Sequence, residues 1–222
     1  MRKIIIINFI TLDGVIQSPG GPQEDTSGKF QWGGWVAPFG DDILHEKLTD
    51  VMSQPFDLLL GRRTYDIFAA HWPHYDDPIG KKFNSAEKFV VSHHDIPLPW
   101  QHSTLITDDV VAQLQALKKT GGPDLQVYGS SQLTQTLLKH QLVDIAHLWL
   151  HPVTIGSGKR LFEDGTLPGS WKLTDATPTS TGVILTTYEA AGALHTRAIE
   201  AKPPSTEELE RRKKVAAEDA KL

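Results

Sequence analysis

Four consecutive isoleucines, Ile4 to Ile7, sit inside the run Lys3-Ile4-Ile5-Ile6-Ile7-Asn8-Phe9-Ile10 close to the amino terminus. A strand with one face in water alternates apolar and polar side chains. A run without alternation belongs to a strand covered on both faces, as in a sheet flanked by helices. The rest of the chain fits that frame. Phe56-Asp57-Leu58-Leu59-Leu60 reads as a second buried strand stopped by Gly61, and further strands follow at Lys88 to Ser92, Thr104 to Ile106 and Leu125 to Gly129. Helical patterns fall between them. From Asp41 to about Met52, the side chains of Ile43, Leu44, Leu48, Val51 and Met52 share a face. A short helix runs from Arg62 to about Ala70, Asp108 caps one reaching Lys119, and Ser130 begins one ending near His140. After that, Ile145 to Leu150, roughly Trp171 to Thr177 and Gly182 to Ala190 read as strands with no helix between them. Alternation followed by strands alone predicts an α/β fold, its sheet mostly parallel and finished by antiparallel strands at the C-terminal end.

The 222 residues are enough for one domain, expected over residues 1–200, with a charged helical tail over 201–222. Pro203-Pro204 ends the fold and Ser205 or Thr206 offers an N-cap. In the tail, Glu207, Glu208, Glu210, Glu218 and Asp219 balance Arg211, Arg212, Lys213, Lys214 and Lys221, which describes a solvated helix. The net charge of −5 gives no broad electrostatic reason to bind nucleic acid. No apolar run approaches the length of a membrane span, and Met1 leads straight into Arg2-Lys3, so neither a membrane anchor nor a signal peptide is expected. Absence of cysteine removes disulfides, thiolate metal sites and cysteine nucleophiles, and a cytoplasmic address fits. The histidine pairs His71/His74 and His93/His94 lack a nearby carboxylate in a metal-binding spacing, so no metal is expected.

Between Gln17 and about Gly40 lies a long Gly- and Pro-rich segment holding Phe30, Trp32, Trp35 and Phe39. Large aromatics at that density predict a binding loop or lid. Familiar nucleotide motifs are missing. Gly156-Ser157-Gly158 begins like a dinucleotide fingerprint, but Leu161 stands where its third glycine belongs. There is no phosphate-binding P-loop and no Gly-x-Ser-x-Gly nucleophile turn.

Three strand ends remain. Gly61-Arg62-Arg63-Thr64 marks the passage from a buried strand to a helix, where backbone N–H groups and guanidinium forks suit a phosphate. Gly129-Ser130-Ser131 repeats the arrangement after another strand. Val91-Ser92-His93 ends a third. In open α/β sheets ligands lie outside the carboxyl ends of the strands, so these residues predict one anionic nucleotide lying across them.

In this order and spacing, Thr11-Leu12-Asp13-Gly14, Gly61-Arg62-Arg63-Thr64-Tyr65, Val91-Ser92, Tyr128-Gly129-Ser130-Ser131 and the stretch from Pro152 to Phe162 resemble the dihydrofolate reductase-like superfamily. The likeness is to the branch typified by the C-terminal reductase domain of the riboflavin-biosynthesis protein RibD, and it covers roughly residues 2 to 191. It implies a three-layer dihydrofolate reductase-like fold, NADPH as cofactor, and hydride transfer to a small heterocyclic (pterin or pyrimidine-like) or carbonyl substrate. The alternative is a nucleotide-binding or sensor module of the same fold without turnover. Carried over by position, Arg62, Arg63 and Thr64 would hold the adenosine phosphates, Ser92 and His93 would lie near the adenine ribose, and Gly129, Ser130 and Ser131 would face the pyrophosphate, with Gly61 also among the cofactor-binding residues. On the substrate side the resemblance asks for an acid. Asp13 at the mouth of the first strand and Asp42 of the helix acids Asp41, Asp42, Glu46 and Asp50 are the candidates, with Trp35 or Trp72 to stack on the ring. The family also implies a homodimer, for which Trp149 is a candidate contact.

Overall fold

The isoleucine run forms a strand at the centre of an eight-stranded sheet in the computed structural model, which describes residues 1–197, 199 and 203–220. In chain order the elements are β1 (Ile4–Thr11), α1 (Asp42–Val51), β2 (Phe56–Gly61), α2 (Arg62–His71), α3 (Pro78–Ser85), β3 (Lys88–Val91), β4 (Ser103–Ile106), α4 (Val110–Lys119), β5 (Asp124–Tyr128), α5 (Ser131–Lys139), β6 (Ile145–His151), β7 (Trp171–Pro178), β8 (Ile184–Ala190) and α6 (Thr206–Asp219). The strands lie in the order β4-β3-β2-β5-β1-β6-β8-β7. Every pair from β4 to β6 is parallel, while β8 runs antiparallel to both β6 and β7. The predicted architecture is therefore the observed one.

Two apolar layers explain the unbroken hydrophobic strands. On one face Ile4, Ile6, Ile10, Leu59, Leu125 and Val127 pack against Leu114 of α4 and Leu133 and Leu137 of α5. On the other, Phe56, Leu58, Leu60 and Val90 meet Met52 after α1, Tyr65 of α2 and Phe83 of α3. Alternate side chains of one strand thus enter different cores, as the two-residue period requires. Trp149 of β6 joins Leu44, Val183 and Leu185 in a third cluster and is 0% exposed. A side chain buried that completely cannot form a contact with a second copy, which removes Trp149 as an interface residue.

Local differences from the sequence reading have local causes. Ile43 turns to solvent, because Leu44 and Leu48 fix the inward face of α1 one residue further round. Asp108 does not cap α4: the cap position is Asp109, in a left-handed conformation (φ 41°) and without a side-chain hydrogen bond. Helix α3 is an addition. Its start is marked by Asp77-Pro78, with the Asp77 carboxylate accepting from the Ile79 and Gly80 amides at 2.9 and 3.0 Å. Helix α6 buries no residue, and Ser205 caps it. Lys221 and the expected domain boundary at 200/201 lie outside the described residues.

At the amino ends of the strands, charges are buried in pairs. Arg2 binds Asp57 and donates from Nε to the Pro123 carbonyl. Lys118 reaches Asp144 at 2.5 Å and the Leu142 carbonyl at 2.8 Å, and the Ile4 amide donates to the same carboxylate. Lys88 donates to the carbonyls of Asn84 and Ala86 and lies 4.3 Å over the Trp100 ring.

Candidate active site

At the opposite, carboxyl ends the sheet opens. Strand β1 pairs with β5 only over Ile4 to Ile7, opposite Leu125 to Tyr128, but continues beside β6 as far as Thr11. From Asn8 onward, β1 therefore has no partner on the β5 side. A cleft of about 1580 Å³ occupies that gap and extends across the ends of β5, β2 and β3. A pocket for one small ligand holds roughly 300–1,000 Å³, so this volume has room for a dinucleotide and a second ring.

The cofactor residues predicted from sequence are brought together. Gly61, Arg62, Arg63, Thr64, Ser92, Gly129, Ser130 and Ser131 all border the cleft. Their individual parts differ from the expectation. Ser130 has φ 61° and does not cap α5. Its hydroxyl accepts from the Gly61 amide at 2.9 Å and donates to Thr64 Oγ1 at 2.7 Å, bolting the starts of α2 and α5 together. A Cβ on Gly61 would approach Ser130 to 3.1 Å, so the glycine permits that junction. Ser92 spends its hydroxyl within its own turn, donating to the His94 carbonyl and accepting from the His94 amide, which leaves His93 exposed on the cleft wall. Arg62 pairs with Asp66 along α2, and Arg63 stands 3.9 Å from Asp25.

Helix starts around the cleft differ in their capping, and Asp77-capped α3 also reaches it through Ile79. Asp41, Asp77 and Ser205 cap α1, α3 and α6 with their side chains. Helices α2, α4 and α5 have no side-chain cap, and the first residues of all three, Arg62, Val110 and Ser131, border the cleft. Helix-start N–H groups lacking an internal acceptor carry partial positive charge and suit an anion.

The substrate-side candidates are mostly displaced. Asp13 does not border the cleft. Its carboxylate accepts from Thr11 Oγ1 at 2.6 Å, the Gly156 amide at 2.7 Å and the Ile155 amide at 3.2 Å, with Arg160 beside it. Desolvation pushes this carboxyl up, but those hydrogen bonds outweigh it and hold it below the ordinary carboxylate range. Asp13 thus fastens the turn after β1 to the Pro152–Phe162 segment, a structural task. Asp42 is exposed and off the cleft, because α1 presents Leu48 there, followed by Met52. Trp35 is buried with Val15 and Phe30, its Nε1 donating to the Gln17 carbonyl at 2.9 Å, and has no face left for a ligand. Trp72 does border the cleft, held edge-on against Phe83 at 4.8 Å.

The Gly/Pro-rich loop divides in two. Residues Ile16 to Asp25, with Ser27 and Gly28, wall the cleft, whereas Phe30 and Trp35 pack on the domain. A Cβ at Gly158 would come within 2.8 Å of Phe30, so that glycine serves packing of the loop and no phosphate. The loop also brings an acid absent from the sequence expectations. Glu24 borders the cleft and accepts from the Gly20 and Gly21 amides at 2.6 and 3.2 Å through one oxygen, leaving the other free. Burial drives its carboxyl up, against the pull of those amides and helped by neighbouring Asp25. Asp25 itself is committed to Lys159 and the Ser27 amide. Asn8 of β1, 3% exposed, also borders the cleft, and its side-chain Nδ2 is buried without a hydrogen-bond partner. A polar residue inside the isoleucine run was the signal for Asn8; nothing in the loop's composition singled out Glu24.

Among the described residues, no group of three or more His, Asp or Glu side chains is placed to hold a metal ion. No described helix is long and apolar enough to cross a membrane.

Comparison with known proteins gives a consistent set of relatives. The RibD C-terminal domain family matches residues 2–185. The uncharacterized protein YyaP of Bacillus subtilis is 30% identical over 196 residues, 86% of this chain and 96% of that protein. Among solved structures, a candidate riboflavin biosynthesis protein of Shewanella sp. PV-4 superposes with a TM-score of 0.65 at 22% identity, over 86% of this chain and 99% of its own. A dihydrofolate reductase of Enterococcus faecalis, complexed with NADP(H), does so with a TM-score of 0.53 at 15% identity, over 85% and 96%. A pyrimidine reductase-like protein of Corynebacterium diphtheriae gives 0.56 at 14%, over 85% and 92%.

Proposed function

This chain belongs to the RibD C-terminal domain family, and from that premise we propose that it is an NADPH-dependent reductase of a small planar heterocycle of pterin or pyrimidine type, or of a carbonyl compound. The observation that carries the reading is the convergence of three uncapped helix starts, those of α2, α4 and α5, on one cleft. Leaving them without internal acceptors makes sense where an external anion supplies the acceptors, and a dinucleotide has several.

The residues fit such a cofactor. Gly129, at φ 64°, keeps the backbone low where a pyrophosphate would lie beside the start of α5. Arg62 and Arg63 supply forked donors for the 2′-phosphate, and the exposed turn at His93 lies on the same wall. When bound, NADPH supplies the hydride. The chain contributes position, exclusion of water and a proton. Leu48, Met52, Phe68, Trp72 and Phe83 make an apolar wall for a flat ring, and the loop from Ile16 to Gly28 covers the cleft. Glu24 is the proton donor in this reading, because burial keeps its carboxyl protonated to higher pH than a free glutamate and one oxygen is unoccupied.

A calorimetric titration of NADPH against NADH tests the cofactor, followed by NADPH oxidation over a panel of pterins, pyrimidines and quinones. NADPH is expected to bind more tightly by at least tenfold, and Glu24→Gln to lower kcat by about 10²–10⁴ while leaving NADPH affinity unchanged. Equal binding of the two dinucleotides removes the 2′-phosphate role of the arginines. Binding without turnover of any compound in the panel favours the nucleotide-binding module over the enzyme.

A further inference from the structure

Three helices build the apolar wall of the cleft, and they turn their charged side chains away from it. Helix α1 presents Leu48, followed by Met52; α2 presents Phe68, followed by Trp72; α3 presents Ile79 and Phe83. On the same helices Lys47 pairs with Asp175, Lys81 with Asp76, and Lys82 donates to the Met52 carbonyl at 2.5 Å, while Asp42, Glu46 and Asp50 stand in solvent. None of these charged groups borders the cleft. The phenol nearest the wall is committed as well. Tyr128, beside Phe68 and Phe83, donates its hydroxyl to Gln126 Oε1 at 2.6 Å, and the Gln126 amide donates to the Val51 carbonyl at 3.0 Å. The rings hold one another in place: Phe68 stacks on Phe83 with centroids 5.6 Å apart, and Trp72 meets Phe83 edge-on. His71 stands at the rim, exposed and stacked on Tyr75 at 4.2 Å.

That wall selects among the rings a reductase could take. The cations that border the cleft, Arg62, Arg63 and Lys159, each face a carboxylate and belong to the start of α2 or to the loop side. An anionic substituent laid against the wall meets no cation, and a charge removed from water without a partner is costly. An aminopyrimidine edge fails for another reason. It presents a ring N–H beside an amino group, two donors that call for two acceptors. Glu24 has one oxygen to offer, because its Oε2 already accepts from the Gly20 and Gly21 amides. A donor buried without an acceptor counts strongly against the ligand that carries it. The arrangement instead matches a flat apolar ring with a single acceptor. Resting on the reductase reading and narrowing it, we propose that the substrate is an uncharged planar ring bearing a conjugated carbonyl, of enone or quinone type, and that pterins and phosphorylated pyrimidines are rejected. The step balances. A C–H bond forms at the ring carbon conjugated to the carbonyl, with the hydride that NADPH supplies; the π pair moves to the carbonyl oxygen; Glu24 gives that oxygen its proton and regains one from water; NADP⁺ is the oxidised product.

The test follows NADPH oxidation by the full chain with methylnaphthoquinone, cyclohexenone, a dihydropterin and a phosphoribosylated aminouracil, with the rate of Glu24→Gln subtracted as background. The quinone or the enone is expected to exceed the pterin and the phosphorylated pyrimidine by about a hundredfold or more in kcat/KM. A naphthoquinone sulfonate, the same ring with a charge added, is expected to show a KM about tenfold higher than methylnaphthoquinone. Trp72→Ala should raise KM for the quinone about tenfold, with kcat within about twofold and NADPH affinity unchanged, and Trp72→Phe should restore most of the loss. NADPH affinity also reports that each variant is folded. Turnover of the pterin or the phosphorylated pyrimidine equal to or above that of the quinone and enone overturns the inference and leaves the reductase reading standing, as does an equal KM for the charged and uncharged naphthoquinones. A wild type that binds NADPH and turns over none of the four compounds overturns both.

Discussion

The two ends of the same sheet treat charge in opposite ways. At the amino ends every buried charge is matched inside the protein: Arg2 with Asp57, Lys118 with Asp144, and Lys88 with two carbonyls and an indole. At the carboxyl ends the groups are left open. Helix starts go uncapped, the Asn8 amide has no partner, and Arg62 and Arg63 rest on exposed or distant carboxylates. One end closes the fold and the other holds binding capacity in reserve. The difference teaches where a substitution will register: in stability at one end, in ligand affinity at the other.

The largest effect expected at the closed end comes from Asp57→Asn, which leaves the Arg2 guanidinium buried beside a neutral amide. Unfolding by urea should show a loss of about 3–5 kcal/mol, with NADPH affinity unchanged in the folded fraction. A loss below about 1 kcal/mol would mean that this end is no better matched than the surface. At the open end, the double substitution Arg62→Ala and Arg63→Ala should reduce NADPH affinity about 10- to 100-fold and abolish discrimination against NADH. Its stability should move by no more than about 0.5 kcal/mol, since the Arg62–Asp66 pair is exposed and Arg63 stands 3.9 Å from an Asp25 already held by Lys159. Unfolding of that variant at much lower urea would erase the contrast between the ends.

The comparison can also be sharpened through pH. Burial pushes the Lys88 ammonium down to about 8, despite the opposing pull of Glu87 and Asp57, whereas an unfolded lysine titrates near 10.5. Between those values the unfolded chain still holds a proton that the folded protein has released. Stability from this residue therefore rises with pH from about 8 to about 10.5 and is flat below. Urea midpoints measured across that range should show the rise in wild type and lose it in Lys88→Met. An identical pH profile for the two proteins would assign the buried amine no part in it.

What could be read from the sequence follows the range of the interactions involved. The order of strands and helices rests on periodicity within a few residues, and the run from Ile4 to Leu150 yielded it, apart from α3. That helix buries only Gly80 and Phe83, too little for a periodic signal, although Asp77-Pro78 announced its start. The residues Gly61 to Thr64, Ser92 and Gly129 to Ser131, which border the cleft, were visible because glycine, arginine and serine at strand ends have a local meaning. Asp13 was misread because its partners, the amides of Ile155 and Gly156, lie more than a hundred residues away, and only the folded turn shows the carboxylate to be occupied. Trp35 was misread for a similar reason: its indole is taken by Gln17, in a loop whose path no local pattern determines. Glu24 was overlooked because its place in the cleft wall depends on the path of that same loop.

The unequal ladders around β5 carry a mechanical consequence. On one side, β1, β6, β8 and β7 are laced together along most of their length: β1 with β6 from Ile5 to Thr11, and β7 with β8 from Trp171 to Pro178. On the other, β5 is joined to β2 only from Phe56 to Leu58 and to β1 only from Ile4 to Ile7. The sheet thus consists of a stiff plate and a more compliant one meeting at a short seam, with the cleft cut into the seam's open end. Small rotations about β5 would change the width of the cleft at that open end. Amide hydrogen exchange should accordingly be faster at Gln126 and Val127 than at Trp149 and Leu185, and a ligand seated in the gap should slow the first pair more than the second.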